Sequence, residues 1–169
     1  MNKRLLMMTW AVCGACISAL ACTNLIVGQK ASTDGSVMVS YSADSYGMFG
    51  HLCHYPAATH QPGEKRPIHD WDTGKFLGYI AEAEKTYNVI GNINEFQVTI
   101  AETTFTGREE LIDTTGIMDY GSLMYVALQR SRTAREAIQI MKGISDFEWV
   151  ILFEISEDFN GILMLNIDK

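Results

Sequence analysis

The order of the hydrophobic patterns predicts an α+β fold, with strands first and helices after. Ser36 to Ser42 (S-V-M-V-S-Y-S) alternates with the two-residue period of a half-buried strand. Tyr87 to Ile93 and Phe96 to Phe105 are rich in strand-forming residues around Asn92 and Asn94. From Tyr120 the period changes, and Leu123, Tyr125, Val126 and Leu128 fall at helical spacing. An apolar fraction of 47% fits a chain that folds around a core rather than a disordered one.

The first segment reads as a leader rather than as part of the fold. Met1 to Ala21 has a basic start (Lys3, Arg4), an apolar stretch from Leu5 to Leu20, and small residues at Ala19 and Ala21. That pattern is expected of a secretory signal peptide cut after Ala21. The apolar stretch is too short for an ordinary membrane span, although an uncleaved anchor is the alternative. Cys13 and Cys16 lie inside this segment, so their C-x-x-C spacing is not read as a redox or zinc motif.

Beyond the cut, Cys22 to Lys30 is β-rich and apolar at Leu25 to Val27. Ser32-Thr33-Asp34-Gly35 is a turn with a glycine available for positive φ, and Ser36 to Ser42 follows as the second strand. The two form a predicted hairpin that starts at Cys22. Ser45 to Gly50 reads as a loop and His51 to Tyr55 as a short strand. Pro56 to Pro67 holds all three prolines and reads as a surface connection. Asp70 to Lys75 is a tight turn between strands, and Gly116 to Asp119 is a loop. Tyr120 to Arg130 is the first helix. Thr133 caps a second, Ala134 to Met141, with Glu136 in a capping-box position. Trp149 to Ile155 and Ile162 to Ile167 are apolar runs that could form a terminal hairpin around Asp158 to Gly161.

Cleavage after Ala21 would give Cys22 both a thiol and a free α-amine. The amine titrates near pH ~8 and the thiol near ~8.5, so a nucleophile and a base would be tethered on one residue. That is the logic of N-terminal-nucleophile catalysis. A lipoprotein fate would acylate the amine and remove the base. Such sites usually carry Leu three residues before the Cys, where this chain has Ala19. Cys53 is expected to be a buried thiol, and a Cys22–Cys53 disulfide would abolish the nucleophile.

The net charge of -7 disfavours nucleic-acid binding, which needs clustered cations. Arg130, Arg132 and Arg135 form the only basic cluster and read as a solvated helix face. His51, His54, His60 and His69 show no zinc-site spacing, so neither a metal nor an organic cofactor is expected.

The segment Cys22-Thr23-Asn24-Leu25-Ile26-Val27-Gly28, followed by Asp34-Gly35-Ser36, resembles the secreted dipeptidase (dipeptidase A) family of N-terminal-nucleophile hydrolases. Further pieces of the resemblance follow in order: Tyr41 to Gly47, His54 to Ala58, Trp71 to Gly74, Tyr87 to Asn92, Asn94-Glu95, Glu102 to Phe105, and Met118 to Leu123. The family is distantly related to penicillin V acylases and bile-salt hydrolases. The resemblance implies a four-layer αββα sandwich and cleavage of dipeptides by a cysteine thiolate. It makes Cys22 the nucleophile and its amine the base. Asp44 aligns with the acid that orients that amine, and Asn94 with the oxyanion-hole asparagine; Asn92 competes for the latter role, and the alternatives are Asp44 as a loop-turn residue and Asn94 as a hairpin-turn residue between strands. Glu102 also reads as a buried structural acid. The related acylases place Arg three residues before the aligned acid, where this chain has Tyr41.

The resemblance fades after Met141, and the tail from Asp146 departs from the family pattern. The expected organisation is a leader (1–21), an N-terminal part of the dipeptidase domain (22–142), and a divergent tail (143–169) from a truncated or frame-shifted product. The expected function is an exported cysteine dipeptidase, periplasmic or extracellular, whose truncation could leave it inactive. The alternatives are a non-catalytic exported or lipid-anchored binding module and an acyl-amide amidase of the penicillin acylase type. The expected partner is a small peptide. Membrane attachment is expected only if Cys22 is lipidated, and a homo-oligomer in which a second chain completes the sheet is left open.

Overall fold

The structure, a computed structural model of the 169-residue chain, describes residues 22–43, 50, 52–106, 115–144, 151–156 and 159–168. Residues 1–21, expected to be a leader, and residues 44–49, which include Asp44, lie outside the described residues.

β1 (Thr23–Val27) and β2 (Met38–Ser42) form the expected antiparallel hairpin, with Thr23 opposite Ser42 and Val27 opposite Met38. Its turn uses the residues the sequence offered. Asp34 Oδ1 accepts the Ser36 N–H at 3.0 Å, and Gly35 takes φ +76°. Alternation puts Cys22, Asn24 and Ile26 toward the interior and leaves Thr23 and Leu25 exposed.

The span expected to be a plain surface connection is partly strand. β3 (His54–Tyr55) and β4 (Ala58–Thr59) flank Pro56, and β5 (Lys65–His69) contains Pro67. Among the described residues β5 pairs only with β6 (Phe76–Ala81), in a two-stranded ladder. Every strand of such a ladder is an edge, which is where proline is tolerated. The turn between them is the predicted one. Asp70 Oδ1 accepts Thr73 N–H at 2.8 Å, the Gly74 N–H reaches Asp70 O at 2.8 Å, and Gly74 takes φ +71°.

The next runs fold more tightly than two long strands. After β7 (Lys85–Thr86), which pairs with β4, the chain makes β8 (Val89–Ile90), β9 (Ile93–Asn94) and β10 (Thr99–Thr106). Gly91 at φ +54° turns the first corner, and Gln97 at φ 63° sits in the second.

α1 (Tyr120–Arg130) begins at Asp119, whose carboxylate accepts the Ser122 N–H at 3.0 Å. Every residue from Leu123 to Gln129 is buried, so α1 is enclosed rather than one-faced. α2 (Ala134–Ile144) is one-faced: Ala134, Ala137 and Met141 are buried. Thr133 caps it as expected, accepting the Glu136 N–H at 3.2 Å. The Glu136 carboxylate reaches back to the Arg132 N–H at 2.7 Å, one residue before the cap.

The tail forms the expected hairpin, β11 (Ile151–Ser156) with β12 (Phe159–Asp168). β12 also pairs in parallel with β10, from Thr99 opposite Gly161 to Thr106 opposite Asp168. A parallel pair needs a long crossover, here supplied by α1 and α2. Among the described residues the resulting sheet has six strands in the order β11-β12-β10-β9-β8-β3. The architecture of the described residues is thus mixed strand and helix, α+β.

The core lies where α1 meets the strands: Ile68, Val89, Val98 and Ile100 pack in one cluster with Leu123, Val126 and Leu128. Burying each such side chain stabilises the fold by roughly 1.5–3 kcal/mol. Trp71 stacks on Tyr125 at 4.8 Å between centroids. Arg130 is not on a solvated face as the sequence predicted. Its guanidinium is mostly buried, donating to Glu82 Oε1 and to Ala81 O at 2.9 Å each. Arg66 joins the same cluster, 3.9 Å from Glu82 and hydrogen-bonded to Gln129.

Candidate active site

Cys22 stands at the head of β1, beside β10. Its carbonyl accepts a hydrogen bond from Thr103 Oγ1 at 3.0 Å. Its Sγ donates to Glu102 Oε1 at 3.0 Å. The same oxygen accepts the phenol of Tyr41 at 2.9 Å, and Tyr41 lies opposite Asn24 in the hairpin. Asn24 Nδ2 donates to the Glu102 backbone carbonyl at 2.9 Å. Three strands therefore converge on one carboxylate, with the thiol as one of its donors.

Glu102 is 3% exposed. It follows Val98 and Ile100 at two-residue spacing, so the strand period turns it inward with them. Its second oxygen, Oε2, is shielded from solvent and has no hydrogen-bond partner among the described residues; Asn24 Oδ1 is in the same state. The ion pairs among the described residues link Glu82 to Arg66 and Arg130, and Glu64 to His60; none includes Glu102. Burial, reinforced by the adjacent Glu102 carboxylate, pushes the Tyr41 phenol far above the ordinary tyrosine range. Tyr120 on α1 is raised too, chiefly by burial and by its hydrogen bond to Asp72, with a smaller contribution from Glu102.

Asn94 has a different occupation from the oxyanion role implied by the resemblance. It is 5% exposed, and its Nδ2 donates to both Leu128 O and Ser131 O at 2.8 Å. Its Oδ1 accepts the N–H groups of Phe96 and Val98 at 3.0 Å each. A primary amide has two hydrogens, and both are engaged here. Asn94 ties the β9–β10 turn to the end of α1 and has no donor left for an oxyanion. Asn92 donates once, to Ile100 O at 2.9 Å.

Asp44 lies outside the described residues. Neither Cys22 nor Cys53 is in a disulfide. Cys53 is half-buried rather than buried and hydrogen-bonds Tyr125. Tyr41, standing where the related acylases carry Arg, serves Glu102. Sequence reasoning noted Glu102 as a structural acid but not its contact with Cys22, 80 residues away. The available signal was an acidic residue in phase with apolar ones inside a strand.

A sequence profile, that of peptidase family C69, matches residues 21–147, most of the chain. No curated protein and no solved structure matches it. The match begins beside Cys22, runs through the Tyr41–Glu102 cluster and ends past α2. The chain belongs to peptidase family C69, the dipeptidase A family of N-terminal-nucleophile cysteine peptidases.

Proposed function

We propose that this peptidase is an exported cysteine dipeptidase whose nucleophile is Cys22, exposed when the leader is removed after Ala21. The observation that carries this reading is the fixed setting of the Cys22 thiol, held 3.0 Å from a buried carboxylate at the junction of β1, β2 and β10. Family membership supplies the reaction class, peptide-bond hydrolysis. The periplasm or the extracellular space is the proposed location, and the four-layer αββα sandwich is the proposed arrangement of the complete fold.

In this reading the freed α-amine of Cys22 takes the thiol proton, and Sγ attacks the carbonyl carbon of the scissile bond. A C–S bond forms and the carbonyl oxygen becomes an oxyanion. A preorganised donor there lowers the barrier by ~3–4 kcal/mol. Because both hydrogens of Asn94 are engaged, Asn92 is the side-chain candidate that remains from the pair. The C–N bond then breaks, and the proton held by the amine passes to the leaving amino group. Water attacks the thioester, the C–S bond breaks, and the thiol is restored. Asp44 is proposed, from the resemblance alone, to orient the amine.

Two measurements test this. Mass analysis of the exported chain should find Cys22 as its first residue, unacylated. Dipeptide hydrolysis by the processed chain should fall to background in Cys22→Ala and Cys22→Ser. Unchanged turnover in either variant refutes the assigned nucleophile.

A further inference from the structure

The geometry points to Glu102 as the anion, among the described residues, that receives the α-ammonium formed at Cys22, with Asn24 Oδ1 as a second acceptor. The inference rests on the proposed processing at Ala21 and gives Glu102 a positioning role, since it acts through Cys22.

A carboxylate this deep in a fold is normally matched by a cation, because an unpaired charge out of water is costly. Glu102 has none among the described residues. Among the described residues the titratable groups that face it are Cys22 at the head of β1, Tyr41 on β2 and Tyr120 on α1. All three are neutral when protonated and anionic when not. Its Oε1 already accepts two hydrogen bonds, while Oε2 accepts none. Among the described residues the site is one positive charge and several donors short.

Processing creates that charge in place. The Cys22 nitrogen is joined to Sγ through two carbons, and Sγ is 3.0 Å from Oε1. Before the cut this nitrogen is a neutral amide with one hydrogen. After the cut it is a free amine, and once it has taken a proton, as it does from the thiol, it is an ammonium with three. A substrate ammonium is the competing occupant, but Oε2 and Asn24 Oδ1 are closed to solvent, whereas the Cys22 nitrogen is already attached at the site.

The arrangement also links reactivity to cleavage. In the uncut chain the thiol hydrogen-bonds a carboxylate that has no cation beside it among the described residues, which favours the protonated, unreactive form. Once the ammonium neutralises Glu102, that bias is lifted and the neighbouring positive charge favours the thiolate.

The test is a titration of the processed chain labelled with 15N-cysteine, in which the shift of the Cys22 α-nitrogen follows the amine. The pair predicts an amine titrating above its ordinary value near ~8. Glu102→Gln should lower it by about one unit, a tenfold loss of proton affinity, and Glu102→Asp should restore part of the difference. An amine at or below its ordinary value in the wild-type chain overturns the inference, and this measurement stands even if a variant does not fold. An amine unmoved by Glu102→Gln overturns it as well, including the case in which that variant raises KM for dipeptides, the signature of a substrate ammonium. The titration needs no turnover. A raised, Glu102-dependent amine in a chain that hydrolyses no dipeptide refutes the proposed function and supports the pair.

Discussion

Replacing Asn94 by alanine should cost the fold about 4 kcal/mol, an expectation built from four hydrogen bonds. Two run from Nδ2 to Leu128 O and Ser131 O, and two run to Oδ1 from Phe96 N and Val98 N, all between 2.8 and 3.0 Å. Each such bond contributes roughly 0.5–1.5 kcal/mol net, and removing one partner leaves the other buried and unsatisfied. Taking about 1 kcal/mol for each of the four gives the total. That is a large share of the ~5–15 kcal/mol that holds a typical domain. With a urea slope near ~2 kcal/mol/M, the unfolding midpoint of the full chain should fall by about 2 M. Hydrogen exchange at Phe96 and Val98 should accelerate together, because both amides lose their acceptor. Asn94→Asp keeps that acceptor but puts a carboxylate against two carbonyl oxygens, so it should be destabilised too. A loss below about 1 kcal/mol, together with abolished hydrolysis, would refute the structural role and return Asn94 to the oxyanion hole.

Gly121→Ala should destabilise the chain by about 1–3 kcal/mol, because its Cβ would fall 2.6 Å from Trp71 Cγ and 2.9 Å from Trp71 Cβ, close to the backbone where the ring cannot swing clear. Alanine improves helix propensity by ~1 kcal/mol, so a variant more stable than wild type in urea would refute the contact. Stability should also fall at alkaline pH. Tyr41, Tyr55, Tyr120 and Tyr125 all have raised phenol values, with burial the largest cause in each. The folded state therefore holds these protons more tightly than the unfolded chain does. Their stabilisation is complete below the unfolded value near ~10 and is lost as pH rises past it. Tyr41→Phe should flatten that decline, and denaturant midpoints that stay level from about pH 9 to 11 would contradict the burial of these phenols.

What the sequence determined alone was local. The β1–β2 hairpin, the turns at Asp34-Gly35 and Asp70 to Lys75, the Thr133 cap and the tail hairpin each depend on residues a few positions apart. Their signals are hydrophobic period and turn chemistry, which short stretches of chain carry whole. The ordered series of motifs from Cys22 to Leu123 was likewise enough to identify the family. Tertiary structure decided which polar groups meet. Asn94 spends its amide on carbonyls at the end of α1, Arg130 turns inward to Glu82, and β12 chooses β10 as its parallel neighbour. Above all, it brought Glu102 to Cys22 across 80 positions of sequence. A pattern of period two says that Glu102 points inward, but it cannot name what waits there, because a strand's inner face is written in its own residues and its partners are written elsewhere in the chain.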